Sequence, residues 1–182
     1  MKKGDIMKLS ESKTLKNLRE AFLAESGAYT EYEFYAEQAK NDGYQQIYRI
    51  FTTFAQNEKA HAEIWFKLYH EIAGTSDNLK SAADLENYER VKMYANFAET
   101  AKKEGFDDIA DLFTKVGEIE GLHEQTYGEL KKKVDNKKVF ISDDENTVWK
   151  CANCGHEYVG KDAPEQCPVC SYPKAFFYVK QR

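Results

Sequence analysis

Two Glu-x-x-His segments and two Cys-x-x-Cys segments hold the residue types in this chain whose spacing suits chemistry. Glu58-Lys59-Ala60-His61 and Glu120-Gly121-Leu122-His123 each set a carboxylate three residues ahead of an imidazole. On a helix that spacing puts both groups on one face, within reach of a shared metal pair. Cys151-x-x-Cys154 and Cys167-x-x-Cys170 form two knuckles with 12 residues between them. Each knuckle suits one side of a tetrahedral metal bound through thiolates, and the spacing permits structural zinc as readily as iron. All four cysteines fall in the last 32 residues. A disulfide framework would spread them more widely, so a metal site in a reduced, cytosolic compartment is the expectation.

Helices must position the first set. Residues 12 to 134 contain no proline and are rich in Ala, Glu, Lys, Leu and aromatics, which predicts helices over about 12–41, 44–73, 78–104 and 106–134. Steps of three and four trace a stripe on each. The first runs through Leu18, Phe22, Glu25, Tyr29 and Tyr32, and the second through Ile47, Phe51, Phe54, Glu58, His61, Trp65 and Leu68. The third passes Leu79, Ala82, Glu86, Glu89 and Met93, and the fourth Ile109, Phe113, Val116, Glu120, His123, Tyr127 and Leu130. These are the core-facing positions of a bundle, yet every stripe carries a carboxylate. Uncompensated, such burial costs several kcal/mol per group. Lys59, Arg90 and Lys92 lie off the stripes and are expected to face solvent. One Glu from each of two helices, with Glu-x-x-His from the other two, is the donor set of a carboxylate-bridged dimetal site in a four-helix bundle. His70 and His156 have no such company and read as surface or local structure.

The chain also repeats itself. Tyr35–His61 aligns without a gap on Phe97–His123, an offset of 62 residues, with Gly43, Ile47, Phe51, Glu58 and His61 recurring as Gly105, Ile109, Phe113, Glu120 and His123. Tyr32 recurs as Tyr94. Two helix pairs related by a pseudo-twofold axis are the simplest meaning. One register fails: at this offset Glu25 falls on Asn87, not Glu86, so a one-residue slip or a bulge is required in the third helix.

Composition sets outer bounds. Hydrophobic residues make up 42% of 182, enough for a packed core, and the net charge of −5 without a long basic run speaks against nucleic acid. No apolar stretch approaches the roughly 20 residues that span a bilayer. Met1–Asp5 is basic but is followed by no apolar segment, so no secretory signal is expected. A polar stretch from Asp135 to Asn146 marks the expected boundary between a bundle over 1–140 and a metal module over 141–182. Val148-Trp149 and Phe176–Val179 read as short strands over the metal.

The order of Ala24-Glu25-Ser26, Glu58–His61, Glu86-Asn87-Tyr88-Glu89, Glu120–His123 and Cys167-Pro168-Val169-Cys170 resembles the rubrerythrins along nearly the whole chain. The resemblance implies a mainly α fold: a four-helix, ferritin-like bundle followed by a small β-rich, rubredoxin-like module. It implies a non-haem diiron centre held by Glu25, Glu58, His61, Glu86, Glu89, Glu120 and His123, with Glu58 and Glu120 bridging. Cys151, Cys154, Cys167 and Cys170 would hold one electron-carrying iron, a position zinc can also take. It further implies a peroxidase that reduces hydrogen peroxide to water in oxidative-stress defence, fed by an external reductase or a rubredoxin. One iron would exchange Glu89 for His61 on reduction. Tyr32 and Tyr94 stand one or two turns beyond ligands, where hydrogen bonds to the carboxylates compete with plain core packing as their role. The alternatives are a ferroxidase that stores iron and a zinc-ribbon interaction protein.

Assembly follows from chain length. The turn at Ala73–Asn78, six residues, reaches roughly 20 Å at most, too short to return the chain along a helix of about 37 Å. Chains of the resembled family with such a turn exchange helix pairs, so a domain-swapped homodimer is expected. A plain up-down-up-down path competes, since it too sets Glu86 level with His61.

Overall fold

The computed structural model describes residues 7–180; Met1–Asp5, read above for a signal, lie outside the described residues. The chain divides into two compact units, Met1–Ile72 and Ala73–Arg182. Among the described residues no helix is long and apolar enough to cross a membrane.

The first unit is a helical hairpin, α1 (Lys13–Asn41) and α2 (Gln45–Tyr69). Ser12 caps α1, its Oγ accepting from the Leu15 N–H at 3.3 Å. Gly43, at φ +84°, ends the helix in the left-handed conformation. That turns the Tyr44 N–H back onto the Ala39 carbonyl at 2.8 Å. The two helices close on small residues, with Ala36, Ala39, Ala55 and Ala62 all buried. Phe22, Phe66 and Tyr69 lock the far end, with Phe22 and Phe66 ring centroids 5.2 Å apart.

The second unit repeats this hairpin. The predicted third helix is α3 (Thr75–Tyr88), a π-helical turn (Glu89–Tyr94) and α4 (Ala95–Lys103); α5 (Asp107–Asp135) lies against all three. Gly105 has the same φ of +84° as Gly43, and the Phe106 N–H returns to Ala101 at the same 2.8 Å. Tyr32 lies 6.0 Å from Phe51 between ring centroids, and Tyr94 lies 6.1 Å from Phe113. Tyr35 on Phe51 at 5.7 Å is matched by Phe97 on Phe113 at 5.5 Å. The sequence repeat is thus a repeat of packing.

Two expectations change. α2 ends at Tyr69 and α3 begins at Thr75, so the link is His70–Gly74. Asn78 fixes it, its side chain bonding both the N–H and the carbonyl of Ala73 at 3.1 and 2.8 Å. The stripe residues are also less covered than core positions should be: Ile47, Phe54, Leu68, Ile109 and Leu130 keep 41–55% of their surface exposed. Within its unit each long helix has one packing neighbour, which covers one flank of the stripe. Finally, Arg90 is exposed like Lys59 and Lys92, as expected, but it also forms the ion pair described below.

The cysteine module has a three-stranded antiparallel sheet in the order β2-β1-β3, from β1 (Val148–Cys151), β2 (Glu157–Val159) and β3 (Phe177–Val179). β2 was not foreseen, and Phe176 belongs to a 3₁₀ turn that leads into β3. Trp149, Cys151, Ala163, Cys167 and Phe177 form its core. The Trp149 indole N–H donates to the Gly160 carbonyl at 2.9 Å.

Candidate metal centres

The cysteine module builds two matching knuckles. The N–H of Cys151 donates to His156 O at 2.9 Å, and that of Cys167 donates to Tyr172 O at 2.8 Å. Backbone groups of the same two residues, His156 and Tyr172, bond back to Cys154 and Cys170. After the second cysteine of each knuckle the chain turns left-handed, at Gly155 (φ +78°) and Ser171 (φ +62°). The sulfurs of Cys151 and Cys170 stand 3.7 Å apart, and those of Cys154 and Cys167 3.6 Å. A disulfide needs about 2.05 Å. Four sulfurs at about 2.3 Å around a tetrahedral ion stand roughly 3.8 Å apart, so the donor set fits a metal. The side chain of Asn153 and the backbone at Tyr172 hold the Cys170 thiol down at about 6. At Cys154 the His156 backbone bond acts in the lowering direction, but burial and the neighbouring sulfurs push the thiol up to about 12. Four sulfurs cannot all carry charge together without a cation. His156 therefore serves the site through its backbone. His70 caps α2, its N–H on the Phe66 carbonyl and its ring 4.6 Å from that of Phe66.

Each helical hairpin gathers three of the sequence-predicted ligands. Glu25, Glu58 and His61 offer donor atoms within 4.8 Å of one another, and so do Glu86, Glu120 and His123. His61 Nδ1 is 2.9 Å from Glu58 Oε2, and His123 Nδ1 is 2.7 Å from Glu120 Oε2. The carboxylates are mostly covered, with side-chain exposures of 20% for Glu58, 13% for Glu120 and 15% for Glu86. Among the described residues no Lys or Arg pairs with any of the three. Burial pushes the Glu86 carboxyl above the ordinary range, and a hydrogen bond and the charge of Glu120 push it further. Burial and then Glu120 do the same at Glu89. Carboxylates gathered this way fit divalent cations, which would relieve the repulsion.

Glu89 stands outside the two groups of three but close enough to feel Glu120. The π-helical turn explains its place and resolves the register problem. Glu86 is 61 residues after Glu25, whereas Tyr94 is 62 after Tyr32. The extra residue lies between them, where the helix widens to five-residue hydrogen bonding. With the offset set to 61 upstream, Leu18, Ala21 and Glu25 fall on Leu79, Ala82 and Glu86. Tyr94 has its hydroxyl pushed up by burial and by Glu120, Glu89 and Glu86, so it sits in their field. Neither Tyr94 nor Tyr32 hydrogen-bonds a carboxylate among the described residues; both pack on phenylalanines.

One cluster escaped the sequence reading. Glu124 accepts from Arg90 Nη2 at 2.8 Å, from Arg90 Nε at 3.1 Å and from Asn87 Nδ2 at 2.8 Å. Its signal was present in the residues that directly follow predicted ligands, which the stripes set aside as off-face.

The chain is similar in sequence to known proteins along nearly its whole length. The family model described as rubrerythrin matches residues 16–131, and that described as the rubrerythrin rubredoxin-like domain matches 149–178. Rubrerythrin-1 of Clostridium acetobutylicum is 39% identical, covering 94% of this chain and 96% of its own. Rubrerythrin of Porphyromonas gingivalis is 39% identical over 91% of this chain and 89% of its own. A solved structure of nigerythrin in a partially reduced state is 28% identical, covers 99% of this chain and 91% of that one, and has a TM-score of 0.37. A diiron centre in the carboxylate–histidine set and a metal in the four-cysteine set are the cofactors of such a chain. With both domain models matched in order along it, the chain belongs to the rubrerythrin family.

Proposed function

We propose that this chain is a peroxidase that reduces hydrogen peroxide to two waters, consuming two electrons and two protons. The observation that carries the reading is the pairing, in one chain, of a duplicated Glu–Glu–His donor set with a four-sulfur metal site. Iron in the carboxylate set supplies two electrons and Lewis acidity. Glu25, Glu58 and His61 from one hairpin, with Glu86, Glu89, Glu120 and His123 from the other, would hold it. Glu89 has its carboxyl pushed above the ordinary range by burial and Glu120. Tyr94 stands in the field of Glu120, Glu89 and Glu86 and packs on Phe113, as Tyr32 packs on Phe51. Cys151, Cys154, Cys167 and Cys170 would hold an iron whose chemistry would be one-electron transfer from an external reductase or a rubredoxin. The setting is the reducing cytoplasm, where four free thiols persist. The test is anaerobic reduction followed by stoichiometric peroxide. One peroxide should reoxidise two electron equivalents within seconds, with no dioxygen released. Slow oxidation, or dioxygen evolution by dismutation, would overturn the assignment.

The reading extends to a domain-swapped homodimer, with a bundle over 1–140 and a module over 141–182. The half-covered stripes support it, since Phe54, Leu68 and Leu130 are more exposed than a finished core allows. So does the link. The helical run from Thr75 to Lys103 is about 43 Å long at about 1.5 Å per residue, and five linking residues reach roughly 18 Å. Mixed dimers of Glu58→Ala and Glu120→Ala chains test it. With exchange, one site carries both lesions and the other is intact, so about half the activity returns. If each chain completes its own site, both sites carry one lesion and none returns.

A further inference from the structure

Asn87, Arg90 and Glu124 are not in the ligand set, yet each directly follows a member of it: Glu86, Glu89 and His123. Glu124 Oε2 accepts both Nη2 and Nε of Arg90, at 2.8 and 3.1 Å, while Oε1 accepts Asn87 Nδ2 at 2.8 Å. One carboxylate on α5 thus grips the end of α3 and the start of the π-helical turn. The grip needs a gap in α5. A Cβ on Gly121 would lie 2.8 Å from Arg90 Cδ, so the arginine stem passes where a side chain would stand. The other hairpin cannot do this. Counting back 62 residues, Gly121 becomes Lys59 and Glu124 becomes Ala62. The grip exists only in the hairpin that carries the extra residue.

A wide turn inside an α-helix can in principle sit at several positions, because each neighbouring residue can take up the surplus. Moving it past Glu89 would rotate that residue by about 100° around the helix, off the face it shares with Glu86. We propose that Arg90, held by Glu124 and seated over Gly121, is a positioning residue that pins the wide turn at Glu89–Tyr94 and so keeps Glu89 aimed into the metal site. Asn87 braces the same carboxylate from the preceding turn. The inference rests on the reading of Glu86, Glu89, Glu120 and His123 as metal ligands.

The test uses the full-length chain with iron retained in the cysteine site and the carboxylate site titrated with cobalt(II). Affinity and the visible ligand-field spectrum, which reports coordination, are compared across wild type, Glu89→Ala, Arg90→Ala, Arg90→Lys and Glu124→Gln. Arg90→Ala should weaken the second cobalt about ten- to a hundredfold, the usual cost of losing a partner behind a ligand. Its spectrum should match that of Glu89→Ala. Arg90→Lys, which keeps the charge but not the fork, should restore little. The exchanged pair Arg90→Glu/Glu124→Arg should restore affinity in part. The visible band of the cysteine-bound iron reports an intact module, and should Arg90→Ala fail to fold, the isosteric Glu124→Gln carries the comparison. Wild-type affinity and spectrum in Arg90→Ala or Glu124→Gln, whatever the melting temperature, would overturn the proposal. If wild type itself takes up no cobalt at the carboxylates, the ligand reading falls first and the proposal with it.

Discussion

Glu86 shows what the site costs before a metal arrives. Its carboxyl is pushed upward by burial and by Glu120, so its contribution to stability is present below the usual carboxylate pKa of about 4.3 and is lost as pH rises through the folded value. Glu86→Gln should therefore raise the Tm of the metal-free chain at pH 7 by about 2–4 °C, the shift that about 1 kcal/mol gives at this length. Near pH 4 the variant and wild type should melt together, and the metal-loaded variant should bind iron more weakly. Equal melting at pH 7 would remove burial strain from the account of this residue. Cys170 works in the opposite sense. With its thiol held near 6 by Asn153 and the Tyr172 backbone, metal uptake by the module should weaken more steeply as pH falls below about 6, because protons then compete for that sulfur as they already do for Cys154. Chelator competition at pH 5 and 7 measures it. At this scale the sequence was informative wherever a ligand breaks an apolar stripe. It marked Glu124 only as the neighbour of a ligand and could not pair it, since its partners Asn87 and Arg90 lie on another helix and only packing brings them together.

The helices were legible because nothing inside 12–134 contradicts them, and their ends because Gly43 and Gly105 punctuate the chain. Both glycines stand at φ +84° with open space around an added Cβ. Gly43→Ala and Gly105→Ala should each cost about 1 kcal/mol through backbone strain alone, readable as similar drops in Tm. Unequal drops would mean the two turns are not equivalent. The end of α2 was not legible: Glu71, Ile72 and Ala73 suit a helix, and the stop comes from Asn78 capturing Ala73 across the link. The failed offset at Glu25 did announce the π-helical turn, though not its bounds. β2 was missed because Glu157-Tyr158-Val159 is short and follows a knuckle, so pairing with β1 creates it. The module folds around its sulfurs, with Cys151 and Cys167 in the same small core as Trp149. Stripping its metal, or Cys167→Ser, should red-shift the Trp149 emission while the helical circular dichroism holds.

Whole-molecule behaviour follows from half-covered stripes. If a second copy completes them, stability depends on concentration, and Tm should rise with each tenfold increase in chain concentration. A Tm independent of concentration would speak against exchange. Rubrerythrin family membership was readable before any coordinates, since its motifs occur in order and both matched domain models follow that order. The uncovered stripes were not, because a periodic pattern says which face turns inward and nothing about whose helix meets it.

The 61-to-62 step interrupts an otherwise gapless repeat of one hairpin. A single gene segment encoding one hairpin, copied in tandem, would give two identical glycine turns and two identical aromatic ladders, as Gly43 and Gly105 and the Phe51 and Phe113 stacks preserve. The second hairpin carries one residue more between Glu86 and Tyr94 than the first carries between Glu25 and Tyr32. Glu89 has no counterpart in the first hairpin, where the matching positions are Gly27 and Ala28, so the two halves of the donor set are chemically unequal.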